Sequence, residues 1–278
     1  MNVSQADTLQ QKHQRLNGLI AEMQSVVVAF SGGVDSTLVL KVALNVLGPD
    51  KVLAATGVSP SLPQRELESV KELASVMDAP LELVDTDEVN NPAYSANSPN
   101  RCYHCKTELY TRLTALAKQR GFAAVVNGVN QDDQGDWRPG MKAATEWSVR
   151  APLMEAGLNK DEIRALADSL GIPNWQKPAL ACLSSRVSYG TPVTVQILSQ
   201  IEKAEAFLYQ HGFSNFRVRH HEKVARIEVG PSDMQRLLAE PLRLEVVTAM
   251  KKLGYNYVTL DLQGFRSGSG NEVLGGNE

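Results

Sequence analysis

The chain has 278 residues, 43% of them hydrophobic, a formal charge of −3 and a pI near 6.0. That is enough apolar material for a full core and more length than one ordinary α/β domain needs, so one large and one smaller domain are expected. The balance excludes a strongly basic field for long nucleic acid and favours a small anionic ligand held at a local site.

The start is polar and no apolar run is long enough to cross a bilayer, so neither a signal peptide nor a membrane partner is expected, and the chain reads as cytoplasmic. Residues 5–24 form a predicted helix. Residues 26–30, Val-Val-Val-Ala-Phe, have the β-branched content of a buried strand, and 37–47 carry apolar residues at helical spacing. Predicted strands follow at 51–56, 81–85 and 123–127. Predicted helices lie at 63–77, with Ser61 as a cap, at 103–120, and at 159–170, where Asn159 and Glu162 have capping-box spacing. Strands alternating with helices imply a parallel sheet with helices on both faces, and ligands of such sheets bind at the carboxyl ends of the strands. Near residue 190 the pattern changes to helix 193–211, strands 216–220 and 224–229, helix 232–253 and strand 255–262. The expected architecture is an α/β domain over 1–190, a small α+β domain over 191–263 for substrate or oligomer contacts, and a loose glycine-rich tail over 264–278.

Between the first strand and its helix stands S-G-G-V-D-S, residues 31–36. Backbone N–H groups at a helix start favour an anion, two glycines let it approach, and Ser31 and Ser36 add hydroxyls. Asp35 beside a phosphate implies a cation such as magnesium between them. Neither G-x-x-x-x-G-K-S/T nor G-x-G-x-x-G is present. The stretch resembles the PP-loop of the N-type ATP pyrophosphatases, a family that transfers AMP to an oxygen and releases pyrophosphate. By that resemblance Ser31, Gly32, Gly33, Asp35 and Ser36 hold the ATP phosphates and magnesium. Thr56, Gly57 and Val58 flank the adenine, or simply end a strand. Gly128 passes close to the nucleotide, and Asp132 helps hold magnesium or is a solvated loop carboxylate.

The three cysteines are Cys102 and Cys105, in C-Y-H-C at a helix start, and Cys182. Thiolates at a helix start have lowered pKa values and serve as nucleophiles or metal ligands. Three fall short of a closed zinc site, with His104 turned away round the helix as a fourth. They suit a [4Fe–4S] cluster with one open iron, or else form a redox-silent CxxC and a core cysteine.

Further motifs share this order: D-D-Q-G-D-W-R-P-G-M-K-A at 132–143, L-S-S-R-V-S-Y-G-T at 183–191 and F-R-V-R-H-H-E-K-V-A-R-I-E-V at 216–229. With S-G-G-V-D-S in front, the set resembles the LarE family over nearly the whole chain. The resemblance implies an ATP-dependent sulfurtransferase acting on a pyridinium mononucleotide with two carboxylates, each adenylated and then converted to a thiocarboxylate for the nickel-pincer nucleotide. It implies Cys182 as the sulfur-handling residue. Lys106, Arg138, Ser185, Arg186, Arg217 and Arg219 become substrate contacts, and Glu205 and Glu228 ligands of a second metal. Family members with one reactive cysteine give up its sulfur, whereas those with three are thought to hold a cluster with a replaceable sulfide. The present trio, Cys102, Cys105 and Cys182, resembles the second group, with sulfide or another sulfur donor as co-substrate and a homo-oligomer as the assembly. Rival readings are an amidating enzyme of the GMP or NAD synthetase kind, a tRNA thiolase, which needs a basic surface this acidic chain lacks, and a nucleotide-binding module without catalysis.

Overall fold

The computed structural model describes residues 7–135, 139–178, 181–266 and 269–274. In chain order the elements are α1 (Leu9–Glu22), β1 (Val26–Ala29), α2 (Val34–Leu47), β2 (Val52–Val58), α3 (Gln64–Val76), β3 (Leu81–Asp85), α4 (Pro92–Ser95), α5 (Arg101–Arg120), β4 (Ala124–Val126), α6 (Pro139–Glu146), α7 (Pro152–Glu155), α8 (Lys160–Ser169), α9 (Val195–Gln210), β5 (Phe216–His221), β6 (Val224–Val229), α10 (Met234–Leu238), α11 (Leu242–Lys252) and β7 (Tyr257–Leu260). They fall into two compact units. One comprises 1–59, 64–87 and 102–180; the other comprises 60–63, 88–101 and 181–278.

The first unit is a four-stranded parallel sheet in the order β3-β2-β1-β4. Side chains of a strand alternate between faces, and β1 is apolar on both. Val26, Val28 and Phe30 join Leu16, Leu38, Val70 and Ile163 in one core, which puts α1, α2, α3 and α8 on that face. Val27 joins Leu53, Tyr110, Leu113 and Ala143 in a second core, under α5 and α6. From β1 the chain moves outward to β2 and β3 and returns to place β4 on the other side. The carboxyl ends of β1 and β4 therefore border the point where the strand order reverses, the usual ligand crevice of such sheets.

The second unit carries a mixed sheet, β5-β6-β7, with β5 antiparallel and β7 parallel to β6. Its core joins Ala204 and Leu208 of α9 to Phe216, Val218, Ile227, Val246 and Met250. The helix expected over 232–253 is two helices, α10 and α11, parted at Pro241, whose missing N–H cannot continue the first. Short α4, α6 and α7 each open on a proline and span only four to eight residues, too few for a helical period to stand out in a sequence. At the glycine-rich end, Phe265 N donates to Val229 O at 2.9 Å and Ser269 is buried. Among the described residues no helix is long and apolar enough to cross a membrane.

Candidate functional site

Residues 31–36 link β1 to α2 at the reversal point. Gly32 has φ +72°, the left-handed region that favours glycine, and a Cβ there would lie 2.8 Å from Val70 Cγ2. Gly33 caps α2 with no side chain on the helix amides, which leaves them open to water or an anion. Ser36 Oγ donates to Gly33 O at 3.1 Å and lies 3.2 Å from Ser31 Oγ, so the two hydroxyls meet inside the turn. Gly128, just beyond β4, packs flat on the turn. A Cβ on it would stand 2.7 Å from Ser36 N and 3.1 Å from Asp35 Cβ. Thr56 is buried, its hydroxyl donating to Phe30 O at 2.7 Å and tying the end of β2 to the end of β1. Gly57 faces Leu109, whose Cδ1 would be 2.9 Å from an added Cβ.

Asp35, in the first turn of α2, accepts from Lys160 Nζ through both carboxylate oxygens, each at 2.6 Å. Asp132 Oδ2 accepts the backbone N–H of the same Lys160 at 2.8 Å. The two carboxylates that the sequence offers to magnesium thus meet on one lysine. Asn174 Nδ2 donates to Gly32 O at 2.9 Å and to Thr37 Oγ1 at 3.2 Å, while its Oδ1 is buried without a partner. Lys177 pairs with Glu66 at 2.9 Å and bonds Ser69. Sequence reasoning missed Lys160, Asn174 and Lys177. A signal for Lys160 did exist: it follows the cap residue Asn159, where the helix dipole disfavours a cation.

Cys102 and Cys105 lie in the first turns of α5, Cys102 exposed and Cys105 half-buried, and neither is in a disulfide. Lys106 lies against Gly140, where a Cβ would approach its Cγ to 2.9 Å, and its Nζ is 5.8 Å from the Tyr110 ring centroid. Arg138 lies outside the described residues. Among the described residues no three His, Cys, Asp or Glu side chains converge as a metal site.

In the second unit Cys182, half-buried and also outside any disulfide, precedes a single 3₁₀ turn over Leu183–Arg186. Arg186 folds back over that turn. Its Nη1 donates to Ala181 O at 2.8 Å, Cys182 O at 2.9 Å and Ser185 Oγ at 2.9 Å, and Ser185 Oγ donates to Cys182 O at 2.8 Å. Its counter-ion is Glu205 of α9, at 2.9 Å and as buried as the arginine. Arg219 donates to Ser185 O at 2.8 Å and pairs with the fully buried Glu228 at 2.9 Å. On the same sheet face Arg226 stands opposite Arg219 in register and shares Glu228 at 3.1 Å. Two like charges directly opposed would repel, and the carboxylate between them removes the conflict. Arg217 stacks over the Phe265 ring, 4.9 Å from its centroid. A neighbouring network joins Ser61, Glu88, Tyr94 and Ser184: Ser61 Oγ donates to Glu88 at 3.0 Å and Tyr94 Oη lies 2.6 Å from Ser184 Oγ.

A strand, a glycine turn without side-chain caps and a helix, at the reversal point of a parallel sheet, define a PP-loop protein. The NAD synthase family model matches residues 8–121, a stretch that contains this turn. An uncharacterised protein of Synechocystis sp. is 45% identical over 266 residues, covering 96% of this chain and 99% of the relative. The pyridinium-3,5-bisthiocarboxylic acid mononucleotide synthase of Lactiplantibacillus plantarum is 40% identical over 267 residues, 96% of each chain. An uncharacterised protein of Methanocaldococcus jannaschii is 27% identical over 244 residues, 88% of this chain and 92% of the relative. The chain belongs to the LarE family, that of the pyridinium-3,5-bisthiocarboxylic acid mononucleotide synthases, within the PP-loop enzymes.

Proposed function

We propose that this protein is an ATP-dependent sulfurtransferase that adenylates the carboxylates of pyridinium-3,5-biscarboxylic acid mononucleotide and converts them to thiocarboxylates. The observation that carries the reading is the 40% identity to a named synthase over 96% of both chains. The turn at 31–36 supplies the chemistry. A substrate carboxylate oxygen attacks the α-phosphorus of ATP, the bond to the β-phosphate oxygen breaks, and pyrophosphate leaves. Backbone N–H groups of Gly33 and the first turn of α2, with the Ser31 and Ser36 hydroxyls, stabilise that leaving charge. In the acyl-adenylate the former carboxylate oxygen has become a good leaving group. Sulfide attacks the carbonyl carbon, and AMP departs with that oxygen.

Magnesium fits the donor set, because two carboxylates and the ATP phosphates suit that ion. Asp35 and Asp132 are the residues that would hold it, and it would neutralise phosphate charge. Cys102, Cys105 and Cys182, three thiols outside any disulfide, are the donor type of a [4Fe–4S] cluster, while among the described residues they do not converge as a metal site. By the family resemblance those three would hold it, and it would supply an exchangeable sulfide. The basic face of β5 and β6, with Arg217, Arg219 and Arg226 around Glu228, offers a phosphate or carboxylate of the substrate its planar donors. Oxygen of the substrate, not RNA, is the acceptor, and the cytoplasm is the compartment where such thiols stay reduced.

The test is mass spectrometry of the dicarboxylated pyridinium mononucleotide after incubation with anaerobically purified protein, magnesium-ATP and excess sulfide. Oxygen-to-sulfur exchange over more turnovers than there are chains is the expected result. A single turnover with sulfur lost from Cys182 would keep the substrate and remove the cluster. An unchanged nucleotide would reject the reading and favour amidation, which the NAD synthase match to residues 8–121 keeps as the second possibility.

A further inference from the structure

Two adjacent glycines let an anion come close to the turn, and they also leave its backbone free to rotate. A planar trans peptide carries its C=O and N–H on opposite sides, so whatever fixes a carbonyl also aims the next N–H. The Gly32 carbonyl therefore decides where the Gly33 N–H points, at the start of a helix that no side chain caps.

Both glycine carbonyls are held, and both lead to Asn174. Its Nδ2 donates to Gly32 O at 2.9 Å. It also donates to Thr37 Oγ1 at 3.2 Å, and Thr37 Oγ1 donates onward to Gly33 O at 2.8 Å. Chemistry fixes the orientation of the amide, because a carbonyl only accepts and the Thr37 hydroxyl has one proton, already spent. Asn174 Oδ1 is buried without a partner, so the side chain is held through its NH2 alone. With Gly32 O turned to Asn174, the Gly33 N–H faces the other way, toward Ser31 Oγ at 3.4 Å. That is the side on which the Ser31 and Ser36 hydroxyls meet.

Asn174 is itself braced. Arg164 of α8 donates to Trp175 O at 2.9 Å and to Lys177 O at 3.2 Å, and Lys177 N donates to Asn174 O at 2.9 Å. The Lys177 ammonium reaches Glu66 at 2.9 Å and Ser69 at 3.0 Å on α3, the helix whose Val70 fills the space beside Gly32. Residues 174–177 thus tie the turn to two helices of the same unit.

We propose that Asn174 is a positioning residue for adenylation: by pinning the Gly32 carbonyl it keeps the Gly33 N–H aimed at the departing pyrophosphate. This rests on the ATP reading above and adds the residue that sets the donor geometry of the turn. Gly33 O has further donors in Thr37 N and Ser36 Oγ, so it is the Gly32–Gly33 peptide that rotates when Asn174 is lost. A rotated peptide turns its carbonyl oxygen toward the phosphate and repels it.

Nuclear magnetic resonance of the Gly33 amide in the full-length protein tests this without turnover. The sequence has two Gly-Gly peptides, Gly32–Gly33 and Gly275–Gly276, so glycine labelled at its carbonyl carbon and its nitrogen gives two coupled amide signals, and Gly276→Ala tells them apart. Inorganic pyrophosphate and α,β-methylene-ATP are titrated, at fixed magnesium, into wild type, Asn174→Asp and Asn174→Leu, whose side chains have nearly the asparagine's size and no N–H donor. The wild-type Gly33 signal is expected to move on binding of either probe. In both variants it should start from a different position and respond little. Loss of one hydrogen bond to a charged group weakens binding about ten- to a hundredfold, and that loss is expected for both probes. A Gly33 response and affinity equal to wild type in either folded variant would overturn the proposal. So would a wild-type Gly33 signal that stays in place while the probes bind, or unfolding of both variants, which would make Asn174 a holder of the fold. Wild-type protein that binds neither probe would overturn the ATP reading itself.

Discussion

Arg186 and Glu205 form an ion pair at 2.9 Å with side chains 1% and 4% exposed, and the arginine also holds the carbonyls of Ala181 and Cys182. A buried pair gains little over an apolar pair of the same shape, but removing one partner leaves an uncompensated charge. The arrangement thus serves position more than stability: it fixes the backbone on which the Cys182 thiol stands. Glu205→Gln is expected to lower stability by about 3 to 5 kcal/mol in urea unfolding. In folded Glu205→Gln protein the alkylation rate of Cys182, followed by peptide mass spectrometry, should differ from wild type. An unchanged unfolding midpoint would mean the pair is not formed in solution.

Gly128 has no room for a side chain. A Cβ would sit 2.7 Å from Ser36 N and 3.0 Å from Asp35 C, both backbone atoms that cannot swing aside. Gly128→Ala must push the end of β4 away from the turn, an overpacking cost of about 1 to 3 kcal/mol. The expected outcome is a measurable fall in melting temperature together with weaker binding of the ATP analogue. Gly121→Ala is the control for backbone strain alone, since Gly121 has φ +73° and open space around it. It should lose stability without losing nucleotide affinity.

These two sites differ in how visible they were beforehand. The glycine turn was legible because a local pattern, apolar strand then S-G-G-V-D-S then helical spacing, dictates its own geometry. The cap of α8 was legible for the same reason, with both bonds of the box present. Lys160 on Asp35 and Asn174 on Gly32 were not, because contacts across 125 and 142 residues leave no periodicity to read. Strand alternation put Arg217 and Arg219 on one face, but not which carboxylate each would meet; that depends on the register pairing Arg219 with Arg226 and on Glu228 between them. The division of 232–253 at Pro241 was written in the sequence, and helical composition on both sides obscured it.

His220 links the small domain to pH. It is buried, its Nδ1 3.2 Å from the Tyr255 hydroxyl, and burial first, then the neighbouring His221, holds its pKa below the ordinary 6.5. His221 is shifted the same way, first by burial and then by Arg226. A depressed histidine pKa means the unfolded chain binds more protons between the folded value and 6.5. Stability is therefore complete above about pH 6.5 and falls as the pH drops through that window. Urea midpoints between pH 7.5 and 5 should decline, and His220→Phe should flatten part of the decline. A midpoint that rises on acidification would refute the assignment.

The last prediction separates the two half-reactions. If the turn drives adenylation and the cysteines handle only sulfur, variants in each should fail at different steps. Asp35→Ala removes the carboxylate that Lys160 holds, and pyrophosphate release in the presence of the dicarboxylated nucleotide should be abolished. Cys182→Ala leaves the turn and its hydrogen bonds unaltered in sequence. It should release pyrophosphate, accumulate the AMP adduct and form no thiocarboxylate. Pyrophosphate release coupled to mass spectrometry of the nucleotide reads both steps in one sample. Thiocarboxylate formed by Cys182→Ala would remove that residue from the sulfur path. Normal pyrophosphate release by Asp35→Ala would remove the turn from adenylation, since no other described element offers a glycine turn with uncapped helix amides at the reversal point of the sheet.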